Sequence, residues 1–263
     1  MALIQINMMS ETLMRRVNVT AVIPGDSFSL GKKTQDCQPY KTLYLLHGVM
    51  DNQNDWVTRT NIRELAEEKH LAVIMPAGDN SFYVDREVSH EYYGEYIGRE
   101  LVEVTRRMFP LSYEKNDTFI AGLSMGGYGA LRNGLKYYET FGYVAGLSTA
   151  NFAEKETWDK SGVYFFQKKD FVESRFGKVE DLPESDKDIL WLAKMIAEDL
   201  DARPKLMLTC GLSDFLLEDC RRLKNELVSI NYKIKYYERA GGHDWNFWNN
   251  AILRVIKWLP LNS

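Results

Sequence analysis

The apolar residues of this chain alternate between short unbroken runs and longer runs spaced at three or four residues. Residues 2–9 and 12–23 come first, with Leu13, Val17, Val19, Ala21 and Ile23 near a two-residue period. Both read as strands, with Ser10-Glu11 turning them into a hairpin. Residues 25–40 are polar and read as a loop. Lys41-Thr42-Leu43-Tyr44-Leu45-Leu46 predicts a buried strand that stops at His47-Gly48-Val49. Residues 50–60 read as a polar loop around Trp56. Asn61 is placed to cap a helix reaching about His70, with Ile62, Leu65 and Ala66 on one face. Leu71-Ala72-Val73-Ile74-Met75 is the next buried strand, closed by Pro76 and followed by a loop over 77–90. From about Tyr92 to Phe109 the residues Tyr93, Ile97, Leu101, Val104 and Met108 recur at helical spacing until Pro110.

A strand, a turn with one serine and a helix start follow in Thr118-Phe119-Ile120-Ala121-Gly122-Leu123-Ser124-Met125-Gly126-Gly127-Tyr128-Gly129-Ala130, and the helix runs to about Tyr138. Residues 141–148 form another short strand. Alternating strands and helices imply an α/β fold: a mostly parallel central sheet with helices on both faces. Residues 150–203 break the alternation with many charges, and with aromatics that include Phe152, Trp158, Tyr164, Phe165, Phe166, Phe171, Phe176 and Trp191. This segment, with one helix near 188–199, is expected to be a helical cap insertion in a single domain, too short for its own core. The alternation resumes with a strand at 205–210, a helix at 215–229, a strand at 232–237 and a last helix at about 246–258.

Composition leaves this picture in place. The chain has 263 residues, 45% of them hydrophobic and 27% charged, as in ordinary soluble globular proteins. A net charge of −4 gives no electrostatic footprint for nucleic acid or an anionic membrane, so neither is expected as a partner. The three cysteines, Cys37, Cys210 and Cys220, lack metal-ligand spacing. No basic region followed by an apolar run marks a signal peptide, and no apolar run is long enough to span a bilayer, so a cytoplasmic location is expected. Homo-oligomerisation is left open.

The chemistry lies in Gly122-Leu123-Ser124-Met125-Gly126, which fits G-x-S-x-G, the nucleophile elbow of α/β-hydrolases. A serine in a tight strand-to-helix turn needs glycines two residues to either side, where side chains would collide. By itself the pentad also fits a glycine-rich turn of no chemical consequence. A serine hydroxyl needs a base, and of the four histidines only His243 lies downstream, as the chain order Ser, acid, His demands. His47 reads as structural, His70 as exposed at a helix end, and His90 as a loop residue. The acid should follow a strand between Ser124 and His243. Asp214 does so, with Glu218 and Asp219 as competitors inside the next helix; Asp214 also suits an N-cap. Two backbone N–H groups must receive the developing oxyanion. Met125, after the nucleophile, and Val49, in the His47-Gly48-Val49 loop, are the candidates. Trp56 and Trp245, each beside one of these loops, are candidate walls of a substrate pocket.

Taken together, Leu43-Tyr44-Leu45-Leu46-His47-Gly48, Trp56 with Asn61-Ile62, Val73-Ile74-Met75-Pro76, Tyr83 with Asp85, the stretch 119–130 and Gly242-His243-Asp244-Trp245 resemble the esterase D-type esterases, and among these the bacterial tributyrin esterases. Nearly the whole chain is covered in order; 150–203 matches weakly. The resemblance implies an α/β-hydrolase fold and cleavage of short-chain acyl esters without a cofactor or metal. It implies Ser124, Asp214 and His243 as a triad, with Val49 and Met125 as oxyanion donors. Relatives that keep feruloyl ester, acetyl-xylan and S-formylglutathione hydrolysis, or acyl transfer, open as alternatives include esterases, thioesterases and mycolyltransferases.

Overall fold

A computed structural model describes residues 1–25, 39–154, 157 and 165–261. Cys37, Trp158 and Tyr164 lie outside the described residues. The opening period-two stretch forms the hairpin β1 (Ala2–Ser10) and β2 (Arg15–Ile23), in register from Ala2 opposite Ile23 to Ser10 opposite Arg15. Then come β3 (Thr42–Leu46) and β4 (Ala72–Pro76), a small ribbon of β5 (Asp85–Arg86) and β6 (Glu91–Tyr92), and β7 (Thr118–Leu123), β8 (Tyr143–Leu147), β9 (Lys205–Gly211) and β10 (Ile234–Arg239). Every residue of β3, β4, β7 and β8 is buried, which is why these stretches read as unbroken apolar runs: both faces of the sheet are covered. The main sheet has the order β1-β2-β4-β3-β7-β8-β9-β10. It is parallel from β4 to β10 and antiparallel across β1, β2 and β4.

Among the described residues the α-helices are α1 (Asp55–Arg59), α2 (Ile62–Glu68), α3 (Tyr93–Glu95), which passes through a π turn at Tyr96–Glu100 into α4 (Leu101–Met108), α5 (Met125–Lys136), α6 (Lys169–Phe176), α7 (Ile189–Ile196), α8 (Leu217–Ser229) and α9 (Trp245–Trp258). Residues of β7 divide between the two cores by strand alternation. Ile120 faces a core built with α4, α5, α7 and α8; Phe119, Ala121 and Leu123 face one built with α2 and α9. The architecture is the α/β-hydrolase fold. No helix among the described residues is long and apolar enough to cross a membrane.

Several local expectations need correction. Residues 50–60 hold α1, which Asp55 fixes by accepting the Asn52 N–H (2.8 Å) and pairing with Arg59 (2.8 Å). Such side-chain ties leave no trace in hydropathy. The 77–90 loop contains β5. Asn61 stands at the N-cap position of α2 but makes no side-chain cap; the Ile62 N–H goes to Thr60 Oγ1 (3.2 Å). The last strand starts two residues later than its apolar pattern suggests, because Tyr232 is drawn into the core with its hydroxyl donating to the Pro204 carbonyl (2.8 Å). In the 150–203 segment, Asp188 caps α7 through the Leu190 and Trp191 N–H groups. Phe152 and Phe176 pack on Tyr128 of α5 at 5.6 and 5.5 Å between ring centroids. Buried Arg132 of the same helix donates to the Asp186 carbonyl (2.8 Å) and pairs with the carboxylates of Asp186 and Asp85. These ties bind the segment to α5, the helix that follows Ser124.

Candidate active site

Strand β7 delivers Ser124 at its carboxyl end, and the turn there is strained. Ser124 has φ 53° and ψ −119°, a backbone region that costs a non-glycine residue about 1–3 kcal/mol. The surroundings hold it. Its N–H donates to the Leu147 carbonyl of β8 (2.8 Å). A Cβ on Gly122 would run into the Gly126 carbonyl group, and one on Gly126 would lie 2.5 Å from both the Leu46 and His47 carbonyl oxygens. Both glycines of the pentad are therefore demanded by backbone packed on backbone, which cannot yield as a flexible side chain could.

Ser124 Oγ lies 3.0 Å from His243 Nε2, and His243 Nδ1 lies 3.0 Å from each carboxylate oxygen of Asp214. With Nδ1–H donating to Asp214, Nε2 is left with its lone pair toward the hydroxyl, the tautomer a general base requires. Burial pushes the Asp214 carboxyl up. The hydrogen bond and charge of His243, the Leu216 N–H and the Ser148 hydroxyl outweigh that and leave its pKa below the ordinary value. Asp214 thus stays an anion, its side chain fully buried beside an imidazole that is 17% exposed. The Leu216 N–H also donates to Asp214 (2.9 Å), but Asp214 is not the cap of α8: Leu216 holds the N-cap position and no side chain caps the helix. The competitors face elsewhere: Glu218 pairs with Arg221 (2.7 Å) and Asp219 with Arg222 (2.9 Å).

The other histidines stand apart from the hydroxyl. His70 and His90 are exposed. His47 is buried, with Nδ1–H donating to the Gly48 carbonyl (2.8 Å) and Nε2 accepting the Gly78 N–H (2.9 Å). Burial lowers its pKa, more than the Gly48 carbonyl raises it, so the ring is a neutral brace between two loops. The loop it braces lies against the nucleophile: a Cβ on Gly48 would sit 3.6 Å from Ser124 Cβ. Val49 is the next residue. Met125 opens α5, so its N–H lies beyond the reach of the helix's own i−4 carbonyls.

Of the two tryptophans expected to wall a pocket, Trp56 is placed otherwise. It is 1% exposed, and its indole N–H donates to the Leu46 carbonyl (3.0 Å), so it supports the end of β3 from behind. Trp245 packs on Trp56 (5.2 Å) and on Trp248 (5.3 Å). The ring that meets His243 edge-on is Trp248, at 4.9 Å, with its indole N–H on Ser148 Oγ (3.0 Å). Ser148 in turn donates to Asp214, so Trp248, Ser148 and Asp214 form one chain behind the base. Sequence reasoning passed over Trp248 and Ser148, although Trp248 is one helical turn beyond Asp244, the N-cap of α9. It also passed over Phe215, the neighbour of Asp214, whose ring lies 4.5 Å from that of His243 and is 38% exposed. Phe166 of the 150–203 segment lies 6.4 Å from Phe215, which brings that segment to the mouth of the site. A fourth omission is Asp51. Its N–H closes a turn onto the Gly48 carbonyl (3.3 Å), and its Oδ2 lies 3.2 Å from the position a Gly48 Cβ would take. Burial, then the charge of Asp55, lift its pKa to about 6 against the pull of Arg59, the Gly48 N–H and His243.

This geometry can activate a hydroxyl, carry an acyl group on it and return a proton to a leaving group. Comparison with known proteins agrees. Over 261 residues the chain is 40% identical to an acetyl esterase of Caldicellulosiruptor saccharolyticus, covering 98% of both chains. The structure of an S-formylglutathione hydrolase, FrmB, from Staphylococcus aureus superposes with a TM-score of 0.83 at 32% identity, covering 98% of each chain. That of the fluorophosphonate-binding serine hydrolase F from Staphylococcus aureus gives 0.85 at 32% identity, with the same coverage. The family model for esterases, described as "Putative esterase", matches residues 10–259, and the chain belongs to that family of serine carboxylic ester hydrolases.

Proposed function

We propose that the chain hydrolyses short-chain acyl esters through an acyl-enzyme on Ser124. The observation that carries this reading is the line from Ser124 Oγ through His243 to Asp214, at 3.0 Å for each step. His243 Nε2 takes the hydroxyl proton as Oγ attacks the ester carbonyl, and the oxyanion is received by the Val49 and Met125 N–H groups. His243 then passes the proton to the leaving alcohol, and activates a water that releases the acid. Asp214 holds the tautomer and balances the imidazolium. No cofactor or metal enters these steps. Phe215, partly exposed beside the imidazole, is placed to bound the acyl or alcohol group, and a small acyl group such as acetyl or butyryl is the expected substrate. The acetyl esterase relative supports that choice. A cytoplasmic location is part of the same proposal.

A thioester substrate is the second reading, favoured by the likeness to the staphylococcal S-formylglutathione hydrolase. Nitrophenyl acetate and butyrate, tributyrin, a feruloyl ester, acetylated xylan and S-formylglutathione, compared by kcat/KM, decide between them. Short oxygen esters should lead the series. Loss of turnover in Ser124→Ala and fluorophosphonate labelling of Ser124 are expected for all of them; turnover retained by the alanine variant would refute the mechanism. Adding alcohol acceptors tests acyl transfer, which would appear as ester products replacing the free acid.

A further inference from the structure

Strand β10 is the edge of the main sheet, and its residues alternate between two environments. Ile234, Tyr236 and Glu238 belong to the α8 side, where Glu238 pairs with Arg221 (2.6 Å). Lys235, Tyr237 and Arg239 line a cleft against α9, which contributes Asn250, Arg254 and Lys257 at successive helical turns. The cleft has a volume of about 290 Å³. Four cations converge on it, no lining residue is acidic, and among the described residues none of the four is paired with a carboxylate. Elsewhere clustered cations such as Arg132 with Lys136, and Arg221, are met by carboxylates, whereas here four stand together with none, in a chain of net charge −4. Apolar surface is available too: Trp258 and Tyr237 line the same cleft, and Arg254 stacks over the Tyr237 ring at 4.4 Å from its centroid.

We propose that this cleft binds a small phosphate monoester, with Lys235, Arg239, Arg254 and Lys257 around the phosphate and the carbon portion against Tyr237 and Trp258. Four converging charges exceed what one carboxylate would balance and suit a dianion. At the lower end of the range for small-molecule pockets, about 300 Å³ upward, the cleft has room for a phosphate with one small ring. Lysines on an edge strand also deter edge-to-edge pairing. That role would account for Lys235 and Arg239; it gives no reason for Arg254 and Lys257 of a helix to converge on the same space.

The test uses the full chain with Ser124 blocked by a fluorophosphonate, so that no anion is drawn into the hydrolytic site. Inorganic phosphate, a hexose phosphate and the uncharged hexose are titrated calorimetrically at constant ionic strength in chloride. The phosphate-bearing probes should bind and the hexose should not. Hexose phosphate binding tighter than inorganic phosphate assigns the ester as the ligand; equal binding assigns free phosphate and overturns the place given to Tyr237 and Trp258. Lys235→Gln and Arg254→Gln, both at exposed positions, should each weaken binding about tenfold, the order of one charge-assisted hydrogen bond. Lys224→Gln, on α8, should leave it unchanged. Absence of binding, or equal binding by all three variants and the parent, would overturn the proposal.

Discussion

Replacing Asp51 by Asn should stabilise the fold, and the gain should depend on pH. In the folded chain Asp51 holds its proton up to about pH 6, because burial and then Asp55 disfavour its charge; an ordinary carboxylate lets go near 3.8. Between those values the native state binds a proton that the unfolded state has released. Raising the pH therefore favours unfolding through this range, and above about 6 the full penalty is in place. The interval from 3.8 to about 6 corresponds to about 3 kcal/mol as an upper bound. Asp51 is only partly buried, so solvent screening reduces this to about 1 kcal/mol. Asn keeps an oxygen to accept the Gly48 N–H and removes only the charge. Urea unfolding of the two proteins at a series of pH values from 4.5 to 8 measures the difference. The gain should rise with pH and level off above about 6, with a Tm increase of about 2–4 °C at pH 8. A gain of the same size at every pH, or a loss at pH 8, would refute the electrostatic account.

Three further outcomes follow from the geometry. Asp214→Asn should lower kcat by about 10⁴ in a nitrophenyl acetate assay while leaving Ser124 in place, because the amide can donate to Nδ1 and so favour the wrong imidazole tautomer. Gly126→Ala should abolish soluble, active protein or lower its urea midpoint severely, since the new methyl meets two fixed carbonyl oxygens at 2.5 Å; normal unfolding and normal turnover would contradict the close-packing argument. Arg132→Met should cost about 3–5 kcal/mol in urea unfolding, because Asp85 and Asp186 lose their buried partner; the cations left are partly exposed, Lys136 at 3.1 and 2.7 Å from the two carboxylates and Lys187 at 3.6 Å from Asp186.

The central part of the fold was legible because burial on both faces leaves little choice. Strands such as Leu43–Leu46 or Phe119–Leu123 must be apolar throughout, and the α4 stripe must repeat at helical spacing. Motif and chain order single out Ser124, Asp214 and His243, and the fold brings them within hydrogen-bond reach. What escaped was fixed by contacts between residues far apart in the chain. Trp56 and Trp248 are indistinguishable by composition, yet one props β3 and the other holds Ser148 behind the base. Asp51 looks like any loop carboxylate because its charged neighbour Asp55 is close in sequence, while the burial that raises its pKa most comes only with the fold. The four cations of the β10 cleft look like scattered surface charge, because two lie on a strand with period two and two on a helix with a period near four.

That contrast has a structural cause. Ser124, the Gly48 loop, Asp214 and His243 each follow the carboxyl end of a parallel strand, β7, β3, β9 and β10 in turn. Register lines those ends up: Leu46 sits opposite Gly122, Leu123 opposite Leu147, and Arg239 opposite Gly211. Backbone pairing thus fixes where the four loops start, and the glycine contacts fix how tightly two of them meet. The reacting groups depend on the sheet, which hydropathy reveals. The surfaces that a substrate or ligand would meet, Phe215 with Phe166 at the mouth and the cationic cleft at the sheet edge, depend on side chains arriving from separate elements. The chemistry can therefore be held constant by the strands while what reaches it is set by the loops, the 150–203 segment and the edge, and substitutions in Phe215 or Phe166 should alter KM among acyl esters before they alter kcat.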